Sequence, residues 1–258
     1  MSKIKLNAEH YQKHSTIQKR LAAQVLEYHS ISSKETILDI GCGDGAITAS
    51  MAEEAMSGNV LGIDASNEMI ALANKTYSTQ LSNLTYKQAL AEDGHGENQY
   101  SLITSFNCLY WVKPLEQAFE NIYKALKPGG HFLALVYPLE SVYWKPFIDV
   151  LHKDKFKQYC EQSICSYWRS SSDWIRLAES RGFEVIRSDR EEQEGVYVND
   201  QAYLDYVNGW LPCLLDAPAL TLEDYLRDVL ALVKTKFSKN EELSIPFTKL
   251  HLYLKKPR

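Results

Sequence analysis

Thr36-Ile-Leu-Asp-Ile-Gly-Cys-Gly-Asp-Gly45 decides how the rest of this chain is read. Thr36 to Ile40 has the length and apolar content of a short buried strand, with Asp39 its one charged interruption. Gly41, Cys42, Gly43, Asp44 and Gly45 then make a turn that small residues alone can follow, and Ala46 to Glu54 reads as a helix. Such a turn is a cradle for a polar ligand. Its glycines let a ligand approach the backbone, and the first helical turn offers unpaired N–H groups.

Outward from this turn, Asn59-Val-Leu-Gly-Ile-Asp64 reads as a second strand ending in an acid. An acid about 20 residues beyond the glycine turn is where such folds hold a ribose, since a carboxylate accepts from two adjacent hydroxyls. The alternative is an N-cap, since Asp64-Ala-Ser-Asn67 also suits capping of the helix expected over 67–79. Further strands are expected at 84–90, 99–106 and 131–137, with helices at 8–29 and 114–126; Lys127-Pro-Gly-Gly130 stops the second of these. Ile17, Leu21, Val25 and Tyr28 make a stripe at helical spacing on the first helix, and the helix after the glycine turn carries Ile47, Met51 and Met56. Strands alternating with helices on short loops imply a parallel sheet covered on both faces. The second half is aromatic-rich. Ser170-Ser-Ser-Asp173 opens a helix to Arg181, and a strand starts at Phe183 and runs raggedly toward Val198. Helices over 199–210 and from Thr221 to about Phe237 precede a last strand at 245–254.

The 258 residues suffice for one domain with an elaborated cap. A net charge of −5 opposes a nucleic-acid surface, and the basic end Lys255-Lys-Pro-Arg258 is too short to change that. Five scattered cysteines without a CxxC pair point to a reduced compartment and no structural zinc. The N-terminus lacks an apolar signal core and no apolar run spans a bilayer, so a soluble cytoplasmic protein acting on a small molecule is expected, without membrane or nucleic-acid partners. The oligomeric state is not written in the sequence.

Gly41-x-Gly43-x-x-Ala46 satisfies a loose dinucleotide fingerprint, and it suits a nucleoside without phosphate as well. Its neighbours separate the two. Ile37 to Gly45, in the form Asp-x-Gly-x-Gly-x-Gly, resembles motif I of the class I S-adenosylmethionine-dependent methyltransferases. Leu126-Lys-Pro-Gly-Gly130 and Asn107-Cys-Leu-Tyr-Trp-Val112 resemble two more landmarks of that family. The resemblance implies an α/β fold: a doubly wound, mostly parallel, seven-stranded Rossmann-like sheet with an antiparallel last strand and a helical cap. It implies one domain over 1–258, with a cofactor core at 30–137. Cap and substrate regions fall at 1–29 and 138–240, and closing strands near 183–192 and 245–256. It further implies S-adenosylmethionine as cofactor and S-adenosylhomocysteine as product, held by Gly41, Cys42, Gly43, Asp64, Ala65, Ala91, Glu92 and Phe106. Leu90 and Ser101 stand where the family carries Asp; the work of the first passes to Glu92, Asp93 or the N–H groups of Ala91 and Glu92.

Val207-Asn-Gly-Trp-Leu-Pro212 and the last strand resemble the trans-aconitate methyltransferases, and Tyr11-x-x-x-Ser15-x-x-Gln18 resembles the juvenile hormone acid methyltransferases, with Ser15 where those have Asn. Both groups methylate carboxylates. By this resemblance Gln18 and Trp111 are the catalytic positions, donating hydrogen bonds to an acceptor carboxylate, while Tyr11, Trp144 and Trp210 line its pocket with Trp168 and Tyr206. Trp111 reads equally as core packing, Gln18 as a solvated helix face, and Arg169 as a surface residue or the partner of a second acidic group. An ionised carboxylate needs no general base, whereas an amine or hydroxyl does. No His–acid pair is evident in the sequence; His10, His14 and His131 are lone candidates. The alternatives are an N- or hydroxyl O-methyltransferase on the same core, or a non-catalytic cofactor-binding regulatory protein.

Overall fold

The computed structural model describes residues 16–160, 163, 168–215, 217–239 and 242–258. The first half carries α1 (Thr16–Leu26), β1 (Thr36–Ile40), α2 (Ala46–Glu54), β2 (Asn59–Asp64), α3 (Asn67–Tyr77), β3 (Leu84–Gln88), β4 (Tyr100–Phe106), α4 (Leu115–Ala125) and β5 (Leu126–Val136). The second half carries α5 (Lys145–Leu151), α6 (Ser171–Ser180), β6 (Glu184–Tyr197), α7 (Asp200–Asn208), α8 (Leu211–Leu214), α9 (Ala219–Phe237), β7 (Ser238–Lys239) and β8 (Glu242–Lys255). The sheet order is β3-β2-β1-β4-β5-β8-β6, with the two-residue β7 paired to β8. β1 to β5 are parallel, and β8 runs antiparallel to both β5 and β6. From β1 the chain builds toward one edge through β2 and β3, then crosses to β4 and β5 on the other side. The carboxyl ends of β1 and β4 therefore flank the crevice where open α/β sheets bind ligands.

Apolar side chains cover both faces. Leu38, Ile40, Phe119, Phe132 and Trp174 share one core with α4 and α6, while Leu21, Val25, Ile37, Met51 and Leu135 share another with α1 and α2. Burying each such side chain contributes about 1.5–3 kcal/mol, which is why β1 is buried along nearly its whole length. A third cluster, including Phe147, Tyr203, Val207, Tyr225 and Val229, forms the cap.

Helix α1 is pinned to the sheet by polar contacts as well. Lys249 on β8 is 0% exposed, and its Nζ donates to Gln24 Oε1 at 2.8 Å and pairs with Glu191 Oε2 at 3.0 Å. A lysine tolerates such burial only when partnered. Tyr28 donates to Asp189 Oδ2 at 2.8 Å. At the other end of α1, Lys19 Nζ lies 2.7 Å from Asp44 Oδ2 in the glycine turn. The helix thus spans from the sheet interior to the ligand crevice.

Several expectations are corrected. Met56 is not carried by α2, which ends at Glu54, and it is 74% exposed. β5 begins at Leu126, where the chain pairs with Tyr100 before an irregularity, so the Lys-Pro-Gly-Gly segment belongs to the strand's entry rather than to a separate turn. β6 runs unbroken past residue 192 to Tyr197 because β8 pairs with it as far as Leu243. α9 starts at Ala219 behind Pro218, before Thr221, whose side chain caps nothing. The box at Ser170 and Asp173 is present as expected, each side chain accepting the other's backbone N–H.

Candidate active site

Three glycines shape the turn after β1. Gly41, Gly43 and Gly45 hold φ of 76°, 54° and 82°, the left-handed region that other residues avoid. The N–H groups of Gly41 and Cys42 both donate to Ile63 O, at 2.8 and 2.9 Å, which ties the turn to β2. Tyr86 on β3 donates its hydroxyl to Gly45 O at 2.7 Å. Asp64 accepts from Gly43 N–H at 3.0 Å through Oδ2 and from Ser66 N–H at 2.8 Å through Oδ1. Ser66, not Asp64, caps α3 by accepting from Met69 N–H. Each Asp64 oxygen takes one of these N–H groups and has capacity to accept another hydrogen bond, so the cap alternative falls and the ribose role is left as the open one. Burial pushes the Asp64 carboxyl above its ordinary value, opposed by those two backbone hydrogen bonds.

Asp39 sits beneath the turn, buried, accepting from Thr48 Oγ1 at 2.6 Å and Thr104 Oγ1 at 2.8 Å. Burial raises it to about 6, against the pull of the two hydroxyls. A raised carboxyl contributes stability that is full below its unfolded value and lost as pH rises through its folded value. Between about pH 4 and about pH 6 the ligand-free protein is therefore expected to lose roughly 3 kcal/mol from this group. Asp39→Asn should flatten that slope in urea titrations across the same window, and an unchanged slope would remove Asp39 as its source.

Leu90 and Ser101, the two departures, are far less alike than the sequence suggests. Ser101 stitches β4 to β1 at the strands' amino ends, where Thr36 N–H donates to its Oγ at 3.1 Å and its own hydroxyl donates to Thr36 O at 3.2 Å. It lies at the amino ends of the strands, away from the glycine turn. Leu90 is at the correct end; Asp93 accepts its N–H at 2.8 Å and is thereby turned into the loop. Among the described residues no acceptor takes the N–H of Ala91 or Glu92, so these remain for a ligand. Ala65 follows Asp64 directly, and Phe106 ends β4 buried. Cys42 is buried beside Gly62, and burial pushes its thiol up.

Beyond β4, Trp111 lies on a short turn, Leu109–Trp111. Its ring is 5.9 Å from Trp210, 6.3 Å from Trp144 and 6.2 Å from Trp168. The four sequence-derived tryptophan candidates, Trp111, Trp144, Trp168 and Trp210, therefore meet. Trp144 lies at the start of α5 and Trp210 just before α8, so the cap elements deliver them to the crevice. Gln18 is next to Lys19 at the crevice end of α1, half-buried, its Oε1 without a partner. Tyr11 lies outside the described residues, as do His10 and His14. Arg169 pairs with Glu116 on α4, so its charge is matched within the protein.

The described histidines are elsewhere. His29 faces Glu35 at 3.1 Å and packs 5.1 Å from His131, but this group is at the amino ends of the strands. His251 is mid-β8 beneath α1, bonded to Tyr28. His95 reaches Ala91 O and His152 reaches Ile148 O. Sequence reasoning missed Lys19, Tyr86, Thr48, Thr104 and Cys108. Of these only Cys108 had a signal, within Asn107-Cys-Leu-Tyr-Trp-Val112; Thr104 stands level with Asp39 only through the register of adjacent parallel strands.

A strand-order reversal, a three-glycine turn and an acid after the second strand define a nucleoside-binding α/β protein. A methyltransferase-domain family model matches residues 10–188. Over 247 residues the chain is 30% identical to juvenile hormone acid O-methyltransferase of Bombyx mori, spanning 88% of this chain and 86% of that one. A viral protein, 235L of Invertebrate iridescent virus 6, is 29% identical over 153 residues, 59% of this chain and 56% of that protein. Phosphoethanolamine N-methyltransferase 2 of Haemonchus contortus, solved with phosphomonomethylethanolamine and S-adenosylhomocysteine, shares the fold at a TM-score of 0.62 and 18% identity, over 97% of this chain and 57% of that chain. The chain belongs to the methyltransferase-domain family, as an S-adenosylmethionine-dependent transferase. The cradle suits that cofactor. Its sulfonium is cationic, and the turn region holds Asp39, Asp44 and Asp64, of which Lys19 pairs with Asp44. No helix among the described residues is long and apolar enough to cross a membrane.

Proposed function

We propose that the enzyme methylates a carboxylate oxygen of a small, largely apolar acid. The observation that carries this is the placement of Trp111: just beyond β4 in the ligand crevice, ringed by three other tryptophans, with the described histidines located elsewhere. The donor methyl is already activated on sulfur, so transfer needs a nucleophile about 3 Å away and in line. An ionised carboxylate supplies one without losing a proton. The protein's part is to exclude water and to orient the acid, which apolar indole faces and N–H donors do. Gly41, Gly43 and Asp64 would hold the cofactor, with Ala65, Phe106 and the free N–H groups of Ala91 and Glu92 around its base. Likeness to a juvenile hormone acid O-methyltransferase agrees with this acceptor class. A tryptophan box also suits a methylated amine. Here, however, the rings pack against one another at 4.2–6.3 Å rather than standing apart around a cation.

Incubation with S-adenosylmethionine and hexanoate, dodecanoate, hexadecanoate or benzoate should give methyl esters and S-adenosylhomocysteine in equal amounts. Methylation of amines or hydroxyls with no ester would overturn this assignment. An amide turned by half presents its NH₂ where Gln18 Oε1 now stands unpartnered, so Gln18 is placed to orient the acid. Gln18→Ala is expected to lower turnover about tenfold with cofactor affinity unchanged. Unaltered turnover removes Gln18 from the site.

A further inference from the structure

Two buried indole N–H groups in the tryptophan box have no acceptor. Trp144 is 4% exposed and Trp168 7%, and Nε1 of each lacks a hydrogen-bond partner. Their rings lie 4.2 Å apart, tilted by 40°, and both stand within 6.3 Å of Trp111. A buried donor left unpaired costs about 1–3 kcal/mol, so two adjacent ones favour an acceptor at this place. Trp174 also has an unpaired N–H, but it is alone in the main core against Phe119.

We propose that Trp144 and Trp168 form a neutral two-donor receptor that takes the oxygens of the acceptor's carboxylate, and that this pair selects acids over their esters. The proposal rests on the carboxylate reading above and deepens it. The neighbouring Arg169 pairs with Glu116 through Nη2, though its buried Nε has no partner, so the two indoles are the uncharged donors of this region. That choice has a chemical reason. A guanidinium fork would hold the anion tightly and draw charge from the oxygen that must attack. Indole N–H groups orient the same oxygens while leaving more of that charge available, inside a box that excludes water. An ester already carries the methyl group, and its alkylated oxygen is uncharged and a poorer acceptor, so product is released.

The test uses the full chain loaded with S-adenosylhomocysteine and labelled with ¹⁵N at its five tryptophan indoles. Dodecanoate should move the Trp144 and Trp168 N–H resonances downfield, leave Trp174 still, and have no such effect as methyl dodecanoate. In turnover, replacing either indole by benzothiophene, which keeps the ring and lacks the N–H, should raise KM for the acid about tenfold or more with kcat little changed. Trp144→Phe and Trp168→Phe should do the same where they fold, with a melting temperature no lower than a cavity alone explains. Ester formation with both resonances unmoved and KM unaltered in the benzothiophene proteins overturns the receptor and leaves the carboxylate assignment standing. No ester from any acid tested overturns both.

Discussion

Asp64→Ala is expected to weaken binding of S-adenosylmethionine and S-adenosylhomocysteine by roughly 10²- to 10⁴-fold. The carboxylate is held in place by Gly43 and Ser66 N–H groups, one on each oxygen, and each oxygen retains an acceptor site. Two hydrogen bonds from a ribose diol to a charged acceptor are worth about 1.5–3 kcal/mol each, and together they set that range. Asp64→Asn keeps the shape and one acceptor oxygen, so about a tenfold loss is expected. Calorimetric titration measures both, with NAD as a ligand that should bind to none of the proteins. A purely structural Asp64 would behave differently: the alanine variant would melt at lower temperature, and its folded fraction would bind the cofactor as tightly as before. That result would return Asp64 to the role of a brace for the turn.

The parts of this site that were legible in sequence are those where one residue type alone meets a local need. A backbone at positive φ calls for glycine, so Gly41, Gly43 and Gly45 announced the turn, and alternating strands and helices announced the sheet around it. Asp64 and Ser66 could not be ranked as caps, because both carry a suitable acceptor and only the fold shows that Ser66 serves Met69. Lys249 was invisible for another reason. Nothing local tells a buried strand lysine from a surface one; its burial follows from α1 crossing β8 and supplying Gln24. Likewise Trp111, Trp144, Trp168 and Trp210 meet only because the cap folds back over the carboxyl end of β4. Ser101 stands where the family carries Asp, yet here it stitches β4 to β1 at the amino ends of the strands, a matter of depth along β4 that family pattern alone does not supply.

Gly41→Ala is expected to cost about 2–5 kcal/mol and to abolish cofactor binding in whatever remains folded. Two independent penalties meet at this position. With φ at 76°, a side chain pays about 1–2 kcal/mol for the left-handed region. The added Cβ would also overlap Cβ and Sγ of Cys108, and overpacking a tight contact costs about 1–3 kcal/mol more. Cys108 begins the short turn that carries Trp111, and Gly41 N–H is bonded to Ile63 O, so neither side can yield without moving the crevice. A second substitution separates the terms. Cys108→Gly in the Gly41→Ala background removes the overlap and leaves the strain, so it should restore about half of the lost stability, whereas Cys108→Ala keeps its Cβ in the way and should restore little. Gly94→Ala is the control, since its added Cβ meets nothing. Urea unfolding of the four proteins gives the stabilities, and titration with S-adenosylhomocysteine gives the affinities. Full stability and affinity in Gly41→Ala would mean that the turn relaxes freely. The close seating of β1 against the Trp111 turn would then not be what shapes the cofactor cradle.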